Sequence, residues 1–435
     1  MNLLENYKTR LNVSESVYKN AHNGESMDTN KKMAVARCLQ NVSTFMNEAF
    51  DSASGTQRSD MGLFKKFCLN LTTVALPNLI AHDLVIVHPM SSMSGYVTYI
   101  EYSAGSTKGA TNAGDVFNSP FKLGNVDETY TADRVVETVG KGATELTLAW
   151  TPVVEGAFTD DAGAAHDVKI ITAAGDVKYA DVADGKVTGL AEGDRVAYVY
   201  NNVIVPQNDL PMLKAEMKSI PLIAKARRIA VYYSQIAAFQ AKTDYGFDLG
   251  DQLAEKAVGQ LSYEIDTEIV KLLDETAGKA DADLTWSKQL PVGISKAEHY
   301  EGFSEVIEIG AQKIYDATKR FAPNYMIIAS NIKPVLGFIK GWNAAPTSNI
   351  NGPYFAGTLN GIKVYVSPAM AAGRFVLGVN GDDMMSSVAV YAPYMAVVPT
   401  QLLQYADGGT AQGWSTMYDL KVLNANLIVA GEVTA

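Results

Sequence analysis

Between residues 248 and 275 one apolar row steps by four: Leu249, Leu253, Ala257, Leu261, Ile265, Ile269 and Leu272/Leu273, with Gly278 placed as a stop. That pattern predicts a single helix of roughly 40 Å at 1.5 Å per residue. It is long for a globular protein, so the remaining elements must lie across it as on a spine.

Upstream, residues 1–28 are polar, show no hydrophobic period and read as an extended or loosely held arm. From Asp28 onward, with Asp28 or Thr29 a plausible N-cap, Val35, Cys38, Leu39, Val42, Phe45, Met46 and Ala49 recur at helical spacing. After a Gly/Ser break at Ser52–Ser59, a second helix is expected from Asp60 to about Val74, with Leu63, Phe64, Phe67, Leu71 and Val74 inward and Pro77 as its stop. Residues 82–102 read as a β-hairpin around a Ser/Gly/Pro turn.

From 101 to 206 the chain turns rich in Gly, Ala, Thr, Val and Asp. Short alternating runs (ELTLAW, VKIITA, DRVAYVY) are punctuated by AAGD, ADGK and AEGD, which predicts a small all-β insertion. This stretch holds 16 acidic against 8 basic residues, most of the excess behind the net charge of −11. A strongly basic nucleic-acid binder is excluded by those totals.

Downstream, helices return after Pro221; 224–242 is a mixed run in which Tyr232, Tyr233, Ile236 and Phe239 fit one helical face, and 280–299 reads as a loop. Tyr300–Arg320 is a second amphipathic helix, with Phe303, Val306, Ile307, Ala311 and Ile314 inward. NYMIIAS (324–330) is a buried strand, followed by a helix through Phe338–Ile339 and a loop at 341–353. GIKVYVSP, RFVLGVN, SVAVYAPY, MAVVPT and the final 18 residues are strands. Helices and strands fall in clusters without βαβ alternation, so the fold class is α+β.

The chemistry-bearing motifs are absent. There is no GxxxxGK[ST], no GxGxxG opening a helix, no GxSxG and no HExxH. The histidines at 22, 82, 88, 166 and 299 are scattered. His82 and His88 flank one β run without a third ligand, so a surface or capping role is expected. Asp281 and Asp283 mimic the start of a calcium loop, but Trp286 and Val292 stand where it needs Gly and Glu. No catalytic, cofactor-binding or metal-binding residue is therefore assigned, no cofactor is expected, and no enzymatic activity. Two cysteines, Cys38 and Cys68, exclude a disulfide framework, and Cys38 reads as a small buried hydrophobe. No run of about 18 apolar residues predicts a membrane helix, and no secretory signal is read at the N-terminus. Lys225, Arg227 and Arg228 form the one compact basic cluster outside the arm, a solvated face or a contact with nucleic acid or an acidic neighbour.

Several segments, in order, carry a resemblance. LPNLIAHDLVIVHPMSSMSGYV (76–97), AKARRIAVYYSQIAAFQAKTDYGFDLGDQLAEKAVGQLSYEID (224–266), NYMIIAS, FAGTLNGIKVYVSP (355–368) and VAVYAPYMAVVPT (388–400) are similar to segments of tailed-phage major capsid proteins with the HK97-like fold, in the T-even-type myovirus branch. Pro77, Asn78, Leu79, Asp83, Leu84, Val85, Pro89, Met90 and Gly95 fit the first of these, and Gly246 and Glu264 the second.

The resemblance implies an N-terminal arm and helix at 1–60 and a peripheral domain from 61–100, 207–299 and 389–435, with the spine helix at 248–275. It implies an axial domain at 300–388 and an extended loop carrying the β insertion at 101–206. It implies a structural subunit assembling into hexamers, and in some shells pentamers, of an icosahedral capsid around double-stranded DNA. Copies of itself would be its main partner, with scaffolding, portal, vertex and decoration proteins beside them. DNA would be enclosed without sequence-specific binding and no membrane contacted. The protein would be assembled in the host cytoplasm and reside in the virion. A shorter relative of that fold, an encapsulin-type compartment shell, and a soluble ligand- or carbohydrate-binding protein with a β module are the alternative readings.

Overall fold

The computed structural model describes residues 3–22, 24–51, 68–108, 111–118, 130–131, 133–160, 162–201, 211–246, 249–318, 320–346, 352–381, 383–400, 403–405 and 408–434. It divides into two compact units, Met1–Val97 with Ile220–Ala435, and Thr98–Ser219.

In the first unit the polar start is helical, not an extended arm. Leu3–Asn6 (α1) and Lys8–Ala21 (α2) are helices, and Leu11, Ser14 and Tyr18 are buried. These three residues form one helical stripe, but a serine at its centre masks the period. The Ser14 hydroxyl is satisfied inside by donating to the Thr73 carbonyl at 3.0 Å.

Of the two N-cap candidates, Asp28 precedes the helix Thr29–Asp51 (α3), with the Asn30 N–H donating to Asp28 Oδ2 at 3.3 Å, and Thr29 is its first residue. Val35, Cys38, Leu39, Val42 and Met46 are buried against Leu11, Tyr18, Leu76, Met395 and Val398. Ser52–Ser59 and the start of the expected second helix lie outside the described residues. A helical run at 68–75 (α4) gives way to a 3₁₀ turn holding Pro77. Val74 is exposed, contrary to expectation. Thr72 and Thr73 are buried instead, because their hydroxyls bond the carbonyls of Cys68 and Leu69 four residues back.

The expected 82–102 hairpin does not form. Ala81–Leu84 is a helical turn (α5), and Ile86–Val87 pairs in parallel with strand Ala389–Pro399. The His88 and Met90 N–H groups extend that edge to the carbonyls of Tyr391 and Pro393. A partner some 300 residues away leaves no trace in local alternation. The helix expected at 224–242 is also corrected. Lys225–Ser234 is a strand, with Arg227, Ile229, Val231 and Tyr233 half-buried between exposed neighbours, so period two wins over 3.6. Only Gln235–Asp244 (α6) is helical, capped by Ser234, whose Oγ accepts from the Ala237 N–H at 3.1 Å.

Leu249–Ala277 (α7) is the long spine, 29 residues and about 43 Å. Ala257 and Leu261 pack on Trp414 and Val397 of the five-stranded sheet. Further along, Ile265, Ile269 and Leu273 enter the main core around the seven-stranded sheet. One helix thus serves both sheets. The five-stranded sheet runs Ile86–Val87, Ala389–Pro399, Gly409–Val422, Lys225–Ser234, with Leu403–Gln404 also paired to Gly409–Val422. SVAVYAPY and MAVVPT, expected as two strands, are one strand with pairing irregularities after Pro393 and Met395.

The 280–299 segment is not all loop: Thr285–Ser287 pairs in parallel with Ile428–Thr434, and Lys296–Glu301 (α8) starts on a Ser295/Glu298 capping box. Phe303–Thr318 (α9) packs Phe303, Ile307 and Ile314 inward, and Lys333–Leu336 (α10) is shorter than expected. Tyr325–Ala329 is buried at every residue, parallel to Ile362–Ser367 and antiparallel to Arg374–Gly378. Burial on both faces explains its unbroken apolar run. Gly310 lets α9 approach: a Cβ there would fall 2.5 Å from Leu377 Cδ1.

The second unit has strands and no α-helix among its described residues. Its main sheet runs Arg134–Thr138, Arg195–Val199, Val168–Ile171, Val177–Ala180, all antiparallel. Val135, Trp150, Val168, Val187, Val196, Tyr198 and Tyr200 form its core. The turn motifs act as expected. Asp184 and Gly185, at φ 52° and 73°, make a two-residue turn between the bridged Ala183 and Lys186.

Candidate functional site

In the first unit, α5 carries Asp83 into a buried polar knot that fastens the N-terminal helices. Its carboxylate, 4% exposed, lies at the meeting of α2, α3 and strand Ile362–Ser367. Tyr365 donates to Oδ2 at 2.8 Å and Tyr18 to Oδ1 at 3.2 Å. Lys31 Nζ stands 3.5 Å from Oδ1 and donates to the Tyr18 hydroxyl at 2.7 Å. Lys363 stands 3.9 Å from Oδ1 and binds Glu25 at 2.7 Å. His22 Nε2 lies 3.4 Å from Oδ2, and its ring stacks on Tyr18 at 3.9 Å. Burial alone would raise the Asp83 pKa. The His22, Lys31 and Lys363 charges and the Tyr365 hydrogen bond outweigh it and hold the carboxyl below its ordinary value. Burial also holds His22 below its own usual value against the pull of Asp83, so at neutral pH the two lysines supply the compensating charge.

A cleft of about 710 Å³ opens beside this knot, lined by Lys31, His82, His88, Lys363 and Asn380 among others. His82 is buried, with Nε2 3.2 Å from the Leu76 carbonyl and Nδ1 without a partner; burial pushes its pKa down to about 3. His88 is lowered by burial too. Among the described residues no group of three or more His, Cys, Asp or Glu is placed to hold a metal ion. Asp281 and Asp283 instead grip one lysine, Lys313, at 2.5 and 2.7 Å.

The basic cluster is divided by its strand. Arg227 turns to Glu268 of α7 at 2.5 Å and lies over the Tyr418 ring at 5.5 Å. Lys225 and Arg228 are exposed. The acidic neighbour of Arg227 is thus within its own chain. None of the sites considered from sequence included Asp83, because its partners at 18, 22, 31, 363 and 365 share no local spacing.

In the second unit, residues from strand Ser94–Ala104 and strand Leu213–Ile223 are neighbours in a three-stranded sheet with Val116–Asn118. Their side chains alternate between two faces. One face carries Glu101, Lys214, Glu216 and Lys218, paired as Lys218–Glu101 and, at 2.9 Å, Lys214–Glu216. The other exposes Ile100, Tyr102, Leu213 and Met217, the last at 77%. A ribbon with an uncovered apolar face has the signature of a protein–protein contact. The sequence pattern in 213–218 could have shown it: Leu, Ala and Met alternate with Lys, Glu and Lys.

Residues 61–433 match a family model described as "Major capsid protein Gp23". Similar curated proteins include the major capsid protein of Enterobacteria phage T4, 24% identical over 395 residues, covering 80% of this chain and 73% of that one. That of Vibrio phage KVP40 is 22% identical over 396 residues, covering 80% and 74%. Among solved structures, one from Mycobacterium phage Bobi aligns with a TM-score of 0.36 at 12% identity, covering 68% of this chain and 87% of that one. The virus-like particle from Pyrococcus furiosus aligns at 0.32 and 15% identity, covering 53% and 84%.

Proposed function

The chain belongs to the major capsid protein Gp23 family, and on that footing we propose how it builds a phage capsid as a shell-forming structural subunit of HK97-like α+β fold. The single observation that carries the reading is the family match across 61–433. The uncovered apolar ribbon face at Ile100, Tyr102, Leu213 and Met217 supports it, since in a shell such a face is covered by the next copy.

In this reading the peripheral domain comprises 61–100, 207–299 and 389–435, with its spine, and the axial domain 300–388. The 101–206 segment is the extended loop with its inserted β domain. Copies form hexamers, and in some shells pentamers, which close around double-stranded DNA held without base readout. Scaffolding, portal, vertex and decoration proteins are the remaining partners, and the shell is assembled in the host cytoplasm. The protein performs no catalysis; its work is burying surface against its neighbours and closing rings in place of open filaments. Electrostatics suits that role, because an acidic wall repels packed DNA only within about 8–10 Å in cellular salt.

Negative-stain electron microscopy of the purified full chain tests this. Closed shells, or rings of five and six, are expected. Discrete small oligomers that bind a metabolite or glycan would overturn it.

A further inference from the structure

Helix α6 is covered far less than a helix of its length needs. It has ten residues, and helices shorter than about 12–15 residues are marginal in water without packing. Yet Ala241 is its one buried residue. Two bulky apolar side chains one turn apart, Ile236 and Phe239, are 73% and 71% exposed.

The sheet beside it continues the apolar surface. Tyr232, on the strand leading into α6, and Leu403 both lie opposite Ala411, so the three share one face of the sheet. Tyr232 meets Tyr405 at 6.2 Å between ring centroids. Tyr232, Leu403 and Tyr405 are each more than half exposed.

We propose that this surface, from Leu403 and Tyr405 across Tyr232 to Ile236 and Phe239, packs against the same surface of a second copy around a twofold axis, joining one ring of subunits to the next. The proposal rests on the reading of the chain as a shell subunit. Area argues for it: five such side chains at these exposures offer roughly 700 Å², close to the roughly 800 Å² per partner of a stable interface. Leu290, Val292 and Ile294, an exposed apolar stretch elsewhere in this unit, have three aliphatic side chains and no aromatic, too little to cover the patch. A patch paired with its own copy is matched in extent and composition, and a twofold contact requires just that self-complementarity. Aromatics at its centre are what buried interface cores favour.

The test uses full-length chain under conditions in which the wild type closes into shells. Ile236→Glu/Phe239→Glu is expected to leave rings of five or six intact while lowering the yield of closed shells at least tenfold. Separately, Ile236→Cys and Phe239→Cys shells are oxidised mildly and run without reductant; the native Cys38 and Cys68 are buried. At least one variant is expected to run mainly as a disulfide-linked dimer, because a single cysteine joins copies this way only near a twofold axis. Normal shells from the double glutamate variant, or monomers from both cysteine variants, would overturn the proposal and leave the shell reading standing. Cross-linking of Phe239→Cys to Met217→Cys, but not to itself, would overturn it in favour of the ribbon as occupant. Failure of the wild type to form rings or shells would instead sink the shell reading.

Discussion

Asp83 and Tyr365 lie 282 residues apart and share a 2.8 Å hydrogen bond, through which the first helices of the chain are tied to a strand of the main sheet. Around that bond the charge is balanced by Lys31 and Lys363 and the aromatic contact by Tyr18.

Replacing Asp83 by Asn leaves those two lysines beside a neutral group. Removing one partner of a buried ion pair costs about 3 kcal/mol or more. Asp83→Asn is therefore expected to lower the urea midpoint by that equivalent. Amide exchange in α2 should rise earlier and further than in strand Tyr325–Ala329. Equal acceleration in both would show that the knot does not fasten the arm locally.

Asp83 and three histidines held low by burial, His22, His82 and His88, set the response of this region to acid, and Asp83 and His82 act in different windows. Asp83 titrates below its unfolded value, so its stabilisation is full above about pH 4 and is lost as the pH falls through the lower folded value. His82 is held neutral down to about pH 3 in the fold but protonates near 6.5 when unfolded. The unfolded chain thus gains a proton first, and stability falls as the pH drops from 6.5 towards 3, by on the order of 5 kcal/mol in all. His82→Gln should flatten the denaturation midpoint between pH 6 and 4 while leaving the loss below pH 4. An unchanged slope would remove His82 from the account.

At Gly310 the α9 backbone comes so close to Leu377 that a methyl group would overlap it. Overpacking of this kind costs about 1–3 kcal/mol. Gly310→Ala is expected to lower the melting temperature by several degrees, and Gly310→Val by more. A neutral alanine would mean that the Leu377 side chain turns aside freely.

The basic cluster separates assembly from DNA affinity. Arg227→Ala loses a half-exposed ion pair to the spine and a ring contact, together about 1 kcal/mol. Changing Lys225, Arg227 and Arg228 together to Ala should impair shell formation more than binding of free DNA. A gel shift lost with shells intact would reverse that order.

Residues that repeat along one element were legible in the sequence. The spine announced itself by seven apolar positions stepping by four, and the second unit by turn residues such as Asp184–Gly185 that only left-handed backbone positions explain. What depended on a distant partner was not legible. Ile86–Val87 looked like half of a hairpin because its true neighbour begins at Ala389. Lys225–Ser234 looked helical because paired aromatics at 232 and 233 satisfied a helical face as well as two sheet faces. The α2 stripe was hidden by Ser14, whose burial is intelligible only with the Thr73 carbonyl in place. The Asp83 knot was least legible of all, being assembled from three helices and a strand.

The second unit leaves and rejoins the chain at Thr98 and Ser219, on strands that neighbour each other and are clasped by the Glu101–Lys218 pair. A segment whose two ends lie side by side behaves as a cassette: a foreign domain with similarly spaced termini could be grafted there without re-threading its host. Whatever such a graft carried, the spine and both sheets of the first unit would keep the packing that holds them.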